Sequence, residues 1–340
     1  MQPIPLAVVG LRFGQHVIDG DLIRGLTPFR LAAVCDTDAA RREHCAAKYA
    51  VPAHADLAAI LDDPAIPAVC LITPPAGRAE LVRRCLRAGK HVMTTKPFEV
   101  DPEAALAVLA EARQAGLAVH LNSPGPMRPA WIGLVHGWVD RHQLGRPSLI
   151  EWHTHAPYRE HADGGWYDDP KRCPVAPIFR LGIYALNDIH WLIDDEPETV
   201  MVLASRFRTG RPTPDVAQLT VRYRSGCLAS LACTFACESA NYPDTLAVHY
   251  ERGAVYRDLP PNLGSHEGHL LKVVAGGKET PITIQERVIA GGHHYDWERF
   301  AAWVRNGPQA DDLTAERLAR SLRVIRAMGR AEASGRCETV

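Results

Sequence analysis

The chain has 340 residues, of which 46% are hydrophobic and 23% are charged. This length and composition are enough for a large buried core, so we expect a globular protein of two domains. The 38 basic and 39 acidic residues nearly cancel, so no overall charge favours nucleic acid or a membrane surface, and we expect neither as a partner.

The first part of the chain alternates short apolar runs with segments of helical period. The predicted strands are residues 6–9, 30–35, 68–73, 91–94 and 117–121. Continuous apolar strands separated by helices are typical of a parallel sheet that is covered on both faces. The sequence therefore predicts a parallel sheet in the first domain.

The pattern changes after Asn122, where Ser123-Pro124-Gly125-Pro126 forms a dense cluster of turn residues. We therefore predict one domain over residues 1–122 and a second over 123–340, with the alternative that the carboxyl-terminal helix packs back on the first domain. After one helix at 129–141, the second domain is rich in strands, at 148–155, 199–207, 216–223, 227–237, 245–250 and 254–258. These strands predict a largely antiparallel sheet, completed by helices at about 295–305 and 314–333.

The cysteines and the amino terminus bear on location. There are nine cysteines, an odd number, with no Cys-x-x-Cys pair, which argues against a disulfide framework and favours a reducing, cytoplasmic setting. The first ten residues have no basic segment, and no run approaches 18 apolar residues. We therefore expect no signal peptide and no membrane span.

The first predicted strand continues into a turn that runs from Gly10 to Gln15. A glycine at this place lets the backbone turn tightly and approach a pyrophosphate at the amino terminus of the next helix. The Gly-x-Gly-x-x-Gly fingerprint requires glycine at 10, 12 and 15. Only Gly10 complies, and Gly14 is one residue out of register, so an ordinary strand-to-helix turn is the alternative.

Asp36 ends the second predicted strand. An acidic side chain there accepts hydrogen bonds from the ribose hydroxyls of adenosine and repels a 2′-phosphate, so NAD is favoured over NADP. The alternative is that Asp36 or Asp38 caps the following helix. Arg41 and Arg42 lie close enough in sequence to leave some tolerance of NADP.

Lys96-Pro97 follows the strand predicted at 91–94. The proline limits Lys96 to extended backbone conformations. Ligands of open α/β sheets bind outside the carboxyl ends of the strands, so an ammonium group held there is well placed for chemistry. The alternative is a solvated lysine in a loop.

These features, together with Thr73-Pro74 and Gly89-Lys90-His91-Val92, resemble in order and spacing the Gfo/Idh/MocA family of glucose-fructose oxidoreductase and inositol dehydrogenase. The segments at 166–170, 182–187 and 300–335 extend the resemblance over nearly the whole chain. It implies an amino-terminal Rossmann domain with a doubly wound parallel sheet and a carboxyl-terminal α+β domain with a large open sheet. It also implies a homodimer or homotetramer that pairs through that sheet.

The resemblance implies NAD as the cofactor and a set of residues that hold it. They are Gly10, Arg12, Phe13, Gly14, Asp36, Thr73, Pro74, Lys96, Pro97 and Asn122. Lys96 corresponds to the lysine of a Glu-Lys-Pro element, which this chain writes Thr95-Lys96-Pro97. The glutamate that usually helps to hold the cofactor or the lysine is therefore missing.

A second departure concerns the acid/base group. The family usually has Asp-x-Gly-x-His or Asp-x-Gly-x-Tyr, whereas this chain has Arg180 and Tyr184 in the outer positions. Oxidation of an alcohol needs a base for the hydroxyl proton, and a tyrosine of pKa about 10 needs a nearby cation to ionise readily. We predict that Tyr184 is the acid/base group and that Lys96 supplies the cation. A buried helix tyrosine is the alternative.

Arg180 suggests the charge of the substrate. An arginine that points into a pocket binds a carboxylate or phosphate through two parallel hydrogen bonds, so we hypothesise an anionic polyol such as a sugar acid. Alternatively, Arg180 faces away or pairs with Asp188. Asn187, one helical turn beyond Tyr184, contacts a substrate hydroxyl or bonds to the backbone.

The sequence thus predicts an NAD-dependent oxidoreductase that acts on a secondary alcohol or carbonyl of a sugar-like substrate. Two alternatives stay open. A metal-dependent hydrolase would use histidines and an aspartate as ligands, but with no His-Glu-x-x-His and no cysteine pair we expect no metal. Its candidate ligands are His153, His155, His190, His293, His294 and Asp296. The missing Glu and Asp motivate the other alternative, an NAD-binding sensor or assembly protein without turnover.

Overall fold

The computed structural model describes residues 2–125, 127–239, 244–259, 269–276, 278–284, 295–308 and 314–340. The chain divides into two compact units, which are described separately. The first unit comprises Met1–Met127 and Gly291–Ala315, and the second comprises Arg128–Ala290 and Glu316–Val340. The chain first passes from the first unit to the second after residue 127, whereas the sequence predicted a boundary after residue 122.

In the first unit, the described residues form a six-stranded parallel sheet. The strands are β1 (Ile4–Val9), β2 (Phe29–Cys35), β3 (Ala53–His54), β4 (Ala68–Leu71), β5 (His91–Thr94) and β6 (Val119–Leu121). Their spatial order is β3-β2-β1-β4-β5-β6, the order of the Rossmann dinucleotide fold, which reverses direction between β1 and β4. All four residues of β4 are buried, as expected for a strand covered on both faces. The predicted doubly wound sheet is confirmed.

The strands end level with one another. Val9 pairs with Cys35 on one side and with Leu71 on the other, and the row continues through Thr94 to Leu121. These five residues are the last of β2, β1, β4, β5 and β6. The residues that follow them therefore leave the sheet along one edge.

The helices of the first unit are α1 (Leu11–Val17), α2 (Ala39–Tyr49), α3 (Ala58–Leu61), α4 (Arg78–Arg87), α5 (Pro102–Ala115) and α8 (Trp297–Asn306). A π-helical turn, Ile18–Leu22, extends α1. The ends of α5 show why such segments are helical. Asp101 accepts hydrogen bonds from the amides of Glu103 and Ala104, Pro102 occupies the first turn, and Gly116 ends the helix in the left-handed conformation.

Helix α8 belongs to the first unit, although the sequence prediction assigned it to the second domain. Trp297, Phe300 and Trp303 are buried in the first unit's core. The indole Nε1 of Trp297 donates to Oδ2 of Asp21 at 3.1 Å, and Phe300 stacks on Phe29 with ring centres 5.2 Å apart. Helical periodicity predicts that this segment has an apolar face, but it does not say which sheet that face covers.

In the second unit, the described residues form a nine-stranded sheet, in the order β14-β13-β12-β11-β7-β10-β9-β8-β15. The strands are β7 (Pro147–His155), β8 (Pro197–Ser205), β9 (Val216–Tyr223), β10 (Leu228–Thr234), β11 (Asp244–Tyr250), β12 (Gly253–Leu259), β13 (His269–Ala275), β14 (Lys278–Ile284) and β15 (Glu338–Thr339). Among these described strands, only β7 and β10 pair in parallel, so the predicted antiparallel character is confirmed. The short β3 and β15, and also β13 and β14, were not predicted.

The second sheet has one packed face and one open face. Along β7, Ile150 and Trp152 are buried while the alternate residues Glu151 and His153 are exposed, the pattern of an antiparallel sheet with a solvated side. The helices of this unit are α6 (Ala130–His142), α7 (Ile183–Leu192) and α9 (Ala315–Ser334). Across the described parts of both units, no helix has the length and apolar character needed to cross a membrane.

His120 on β6 is a buried polar group in the core of the first unit. It is 1% exposed, and neither ring nitrogen has a hydrogen-bond partner among the described residues. Its ring packs edge-on against Trp303 and also contacts Phe300. Burial disfavours the charged imidazolium and lowers the pKa of His120 to about 4.

The free energy of unfolding should therefore fall as the pH is lowered from about 6.5 to about 4. In this range the unfolded chain protonates His120 and the folded chain does not, and the shift corresponds to about 3 kcal/mol. Urea titrations at a series of pH values would measure the loss. His120→Leu should reduce it, whereas the exposed control His44→Leu should not. Burial also lowers the pKa of His190, to about 3, so part of the loss should remain in the variant. Equal pH dependence in His120→Leu and wild type would contradict this account.

Candidate functional site

Five predicted cofactor residues follow five parallel strands of the first unit. Gly10, Asp36 and Asn122 come directly after β1, β2 and β6, while Thr73 and Lys96 come two residues after β4 and β5. Because these strands end in one row, the five residues lie along one edge of the sheet. This is the carboxyl edge, where open α/β sheets bind their ligands.

The turn after β1 requires the glycine at its first position. Gly10 has φ +90°, and a Cβ atom there would lie 2.5 Å from the carbonyl oxygen of Ile72, so any other residue would be strained and would clash. Gly14 lies inside α1, where a Cβ atom would be 2.9 Å from Cγ1 of Val8. Gly14 therefore allows close packing of helix on strand, which is the role of the third glycine in the dinucleotide fingerprint, despite its shifted register.

Asp36 joins the end of β2 to this turn. The side chain is 8% exposed. Its Oδ2 accepts a hydrogen bond from the amide of Leu11 at 2.7 Å, and its Oδ1 accepts one from the amide of Asp38 at 2.9 Å. Asp38, and not Asp36, caps α2, because its Oδ1 accepts from the amide of Arg41. Each oxygen of an ionised carboxylate has two acceptor sites, so Asp36 retains capacity to accept further hydrogen bonds.

Two arginines lie at the same strand end. Nη1 of Arg41 is 3.4 Å from Oδ1 of Asp36, and its Nη2 is 3.1 Å from Oδ2 of Asp38. Arg42 donates through Nη1 to the carbonyl oxygens of Asp36 and Thr37. Positive charge therefore stands beside the carboxylate and partly offsets the repulsion that it would exert on a 2′-phosphate.

Two buried polar atoms at the carboxyl edge lack partners within the described part of the chain. They are Oγ1 of Thr73 and Nδ2 of Asn122. The amide oxygen of Asn122 does have a partner, because it accepts a hydrogen bond from the backbone amide of Lys96 at 2.9 Å. Buried polar groups are nearly always hydrogen-bonded. Unpaired polar atoms at the same sheet edge as the Gly10 turn therefore fit a polar ligand such as a dinucleotide.

The other predicted cofactor residues differ in exposure. Lys96 is half-buried, Pro97 is buried, and the peptide bond between them is cis. Pro74 is half-buried next to Thr73. Arg12 is exposed, whereas Phe13 packs against the core of the first unit and against the ring of His16, with ring centres 5.4 Å apart. Phe13 thus has a packing role that the turn motif alone does not predict.

Sequence reasoning missed Arg78 and Glu99, which flank the Lys96 loop. Arg78 begins α4 and is 1% exposed, and Glu99 follows Lys96-Pro97-Phe98 and is 2% exposed. A charged residue at a helix start or in a loop is usually solvated, so neither position carries a signal by itself. What could have indicated them is their opposite charge in the connections that follow the neighbouring strands β4 and β5. This is recognisable only once the strand order is known.

In the second unit, the predicted residues lie on or just before α7. Tyr184 is half-buried in the first turn of this helix, and Asn187 is 3% exposed one turn later. Arg180 belongs to the preceding π-helical turn, Ile178–Gly182. A Cβ atom at Gly182 would lie 3.2 Å from Cδ2 of Leu231, so the glycine lets this segment pack closely on β10.

Arg180 is bound by a carboxylate of its own chain. It is 8% exposed, its Nη1 donates to Oε2 of Glu160 at 2.8 Å, and its Nη2 donates to Oε1 at 2.7 Å. The guanidinium carbon lies 3.7 Å from the ring centre of Tyr167. Burial lowers the pKa of Arg180, but the hydrogen bonds and charge of Glu160 raise it more, so the net shift is upward. The partner suggested by the sequence, Asp188, instead lies 4.0 Å from Nη1 of Arg257.

Glu160 also belongs to a larger charge network. Arg211, whose side chain is 4% exposed, has Nη2 3.4 Å from Oε2 of Glu160 and donates through Nη1 to Asp168. Burial raises the pKa of Asp168, but the hydrogen bond from Arg211 and two backbone amides lower it more, so the net shift is downward. Two arginines thus alternate with two carboxylates and hold residues 160–168 against the segment that precedes α7. Glu160 thus binds both terminal nitrogens of Arg180, the groups through which the sequence analysis expected this arginine to bind an anionic substrate.

The candidate metal ligands that the structure describes do not form a metal site. His190 is 0% exposed, and its pKa is lowered to about 3 by burial and by nearby arginines. Nδ1 of His155 lies 2.9 Å from Oδ1 of Asp244. His293 and His294 lie outside the described residues. Within the ranges that the structure describes, no group of three or more His, Cys, Asp or Glu side chains is arranged to hold a metal ion.

Two family models match the sequence. Residues 4–123 match the GFO_IDH_MocA model, described as "Oxidoreductase family, NAD-binding Rossmann fold", and residues 134–256 match the model described as "GFO/IDH/MocA C-terminal domain". Together the two matches cover more than half of the chain. They coincide with the parallel sheet of the first unit and with β7 to β12 of the second.

Individual relatives are more distant. Inositol 2-dehydrogenase 2 of Saccharopolyspora erythraea is 27% identical over 208 residues, which are 59% of this chain and 58% of the relative. The chain spans 53% to 59% of the length of this and two further curated relatives that it matches.

Solved structures match over nearly the whole chain. GenD2 from gentamicin A biosynthesis, in complex with NAD, has a TM-score of 0.77 at 18% identity and covers 100% of this chain and 97% of its own. KijD10, a 3-ketoreductase from Actinomadura kijaniata in complex with TDP-benzene and NADP, has a TM-score of 0.73 at 17% identity and covers 96% of both chains. At these identities the similarity shows a common fold.

Proposed function

The chain belongs to the Gfo/Idh/MocA family of oxidoreductases, and we propose that it transfers hydride between a nicotinamide dinucleotide and a secondary alcohol, or the matching carbonyl, of a sugar-like substrate. The row of Gly10, Asp36, Thr73, Lys96 and Asn122 at the carboxyl edge carries this proposal. Relatives named for inositol dehydrogenation and for 3-keto reduction support the reaction class.

We assign the dinucleotide to residues of the first unit. The backbone at Gly10 would approach the pyrophosphate, and Asp36 would accept hydrogen bonds from the ribose. Thr73 and Asn122 would form hydrogen bonds to the dinucleotide through Oγ1 and Nδ2, the atoms that lack partners in the described chain. When bound, the dinucleotide supplies the hydride acceptor or donor. Lys96 would orient the substrate oxygen.

Tyr184 of the second unit would take or return the hydroxyl proton. Asn187, on the same helix, would contact a substrate hydroxyl. Because Glu160 already binds both terminal nitrogens of Arg180, we propose a neutral polyol or sugar in place of the anionic substrate.

None of the nine cysteines, all of which the structure describes, is in a disulfide, and this supports the cytoplasm as the location.

Lys96→Ala and Tyr184→Phe should each lower kcat/KM by roughly 10²- to 10⁴-fold, the usual contribution of a positioned acid/base group. Reduction of NAD would be followed over a panel of cyclic polyols, aldoses and the corresponding sugar acids. Neutral substrates should be turned over at least as well as the acids. Tight dinucleotide binding without turnover on any substrate would favour the sensor, and absence of binding would remove the proposal.

We further propose that NAD is preferred to NADP because of the carboxylate of Asp36. Wild type should bind NADH about tenfold or more tightly than NADPH, a difference of about 1.4 kcal/mol or more. Asp36→Asn keeps an acceptor for the amide of Leu11 but loses the negative charge. It should therefore tighten the binding of NADPH and bring the Kd values for NADPH and NADH closer together. Fluorescence titration would give both Kd values. Asp38→Asn preserves the cap of α2 and should leave the ratio unchanged, and a ratio altered equally by both variants would refute the assignment.

We also propose that the open face of the second sheet pairs two copies of the chain into a homodimer, or a homotetramer built from such dimers. The large apolar side chains Met201, Leu203, Leu228 and Leu270 are 40% to 68% exposed on this face. Strand register places all four on the same side. Exposed apolar patches of this kind mark interaction surfaces.

Light scattering of wild type should then give a dimer or tetramer. Leu203→Glu places a charge on the most exposed of the four side chains. It should shift the protein toward monomer at low micromolar concentration, because a buried unpaired charge is costly. Leu26→Glu replaces an equally exposed leucine of the first unit and should not alter the mass. A monomeric wild type would exclude this interface.

A further inference from the structure

We propose that Arg78 is a positioning residue that bonds to both the loop after β4 and the Lys96 loop. It would thereby fix the position of the lysine relative to the dinucleotide. The Lys96 loop is defined here as residues 95–100. This inference rests on the proposed function, because it assigns Arg78 to the same site.

The side chain of Arg78 bonds to four backbone carbonyl groups. It is 1% exposed. Nη1 donates to the carbonyl oxygens of Thr95 at 2.6 Å and Phe98 at 3.2 Å, and also to that of Pro97. Nη2 donates to the carbonyl oxygen of Thr73. One guanidinium group therefore binds both the loop that follows β4 and the loop that follows β5.

Glu99 makes the reciprocal connection. It is 2% exposed, and its Oε2 accepts a hydrogen bond from the amide of Ala79 at 2.8 Å. Its Oε1 accepts from the amides of Gly77 at 3.2 Å and Val100 at 2.8 Å. The Lys96 loop thus caps the amino terminus of α4, while α4 supplies the arginine that bonds to the Lys96 loop. Opposite charges that are both buried and both hydrogen-bonded avoid the cost of an isolated buried charge.

These bonds constrain the backbone on each side of Lys96. The carbonyl groups of Thr95 and Pro97, the residues before and after it, both accept from Arg78, and the amide of Lys96 donates to Oδ1 of Asn122. The peptide group before Lys96 is thus held at both its carbonyl and its amide, and the one after Pro97 is held at its carbonyl, so the backbone from which the lysine side chain extends is restrained. The same guanidinium binds the carbonyl of Thr73, whose hydroxyl we assign to the dinucleotide. A shift of Arg78 would therefore move both together.

The chemistry of the guanidinium group suits this position. Its five N–H groups are arranged in a rigid planar fork, so it can serve several carbonyl oxygens that lie in different directions. A lysine ammonium is a single point with three donors. It would leave at least one of the buried carbonyls without a partner, at a cost in both stability and geometry.

Lys90 provides a matched control for a buried cation that only stabilises. It is 4% exposed, and its Nζ donates to the carbonyl oxygen of Asp63 at 2.5 Å. Lys90 precedes β5, whereas Lys96 follows it. Lys90 therefore lies at the amino end of β5, whereas Arg78 is bonded to the loops at the carboxyl edge.

The test compares Arg78→Lys, Arg78→Ala and Lys90→Met with wild type. Arg78→Ala should raise the Kd for NADH about tenfold or more and lower kcat by on the order of 10²-fold, the effect expected of a displaced reacting group. Guanidinium chloride at low millimolar concentration should restore the Kd of Arg78→Ala in a saturable manner, because the ion fits the vacated space. The same concentration of sodium chloride should not. Lys90→Met should lower Tm and leave the Kd unchanged.

Two results would overturn the inference. One is an Arg78→Ala protein that is folded by circular dichroism and binds NADH as wild type does. The other is a Lys90→Met protein whose Kd rises as much as that of the Arg78 variants, because Arg78 would then be a stabilising residue only. If Arg78→Ala does not fold, Arg78→Lys and Glu99→Gln take its place, and wild-type Kd values in both would reject the inference.

Hydrogen exchange separates this inference from the proposed function. If wild type binds neither NADH nor NADPH, the proposed function fails, and exchange of the amides at 95–100 still decides whether Arg78 holds the loop. Faster exchange there in Arg78→Lys, but not in Lys90→Met, would support the positioning role. Unchanged exchange in Arg78→Lys would reject it, whether or not the chain binds a dinucleotide.

Discussion

The level ending of the parallel strands is the constraint on which the first unit depends. Cys35, Val9, Leu71, Thr94 and Leu121 form one row of strand partners. Parallel pairing with covered faces requires helices between the strands, so each connection returns to the opposite edge before the next strand begins. Every residue that follows the row is consequently delivered to the carboxyl edge. The strand register alone therefore places the Gly10 turn, the Asp36 carboxylate and the Lys96 loop along one edge of the sheet.

This constraint also explains how much the sequence could predict. Residues that end buried strands are recognisable from apolar runs, and a glycine or an aspartate at such an end has a defined role, so Gly10 and Asp36 were found from local pattern. The partners of Arg78 and Arg180 were not found. Arg78 bonds to carbonyl groups of the Lys96 loop and Arg180 bonds to Glu160, so these partners are distant in sequence from the arginines. Nothing local separates a buried charge with a partner from a solvated one. The same limit applies to α8, because an apolar helical face does not identify the sheet that it covers.

A buried arginine is found at each of the two departures of this chain from the family pattern. Thr95 stands where the resemblance predicts a glutamate, and the carbonyl of this same threonine is bound by Arg78. Arg180 stands where an aspartate is expected, and Glu160 binds it from another segment of the same unit. The charge of Arg180 is balanced within its own unit, so it is not an isolated buried charge. A guanidinium group tolerates such burial because several of its donors can be directed at fixed acceptors.

The way in which Lys96 is held also bears on the choice between an enzyme and a sensor. A dinucleotide sensor needs the adenosine half of the site, which we assign to Gly10 and Asp36, and it gains little from constraining the backbone on both sides of a lysine. Reacting groups must be held within about 0.5 Å of their productive position, and the surrounding residues must supply that restraint. Arg78 and Asn122 hold the peptide groups around Lys96 by direct hydrogen bonds. This degree of restraint at one side chain favours turnover over binding alone.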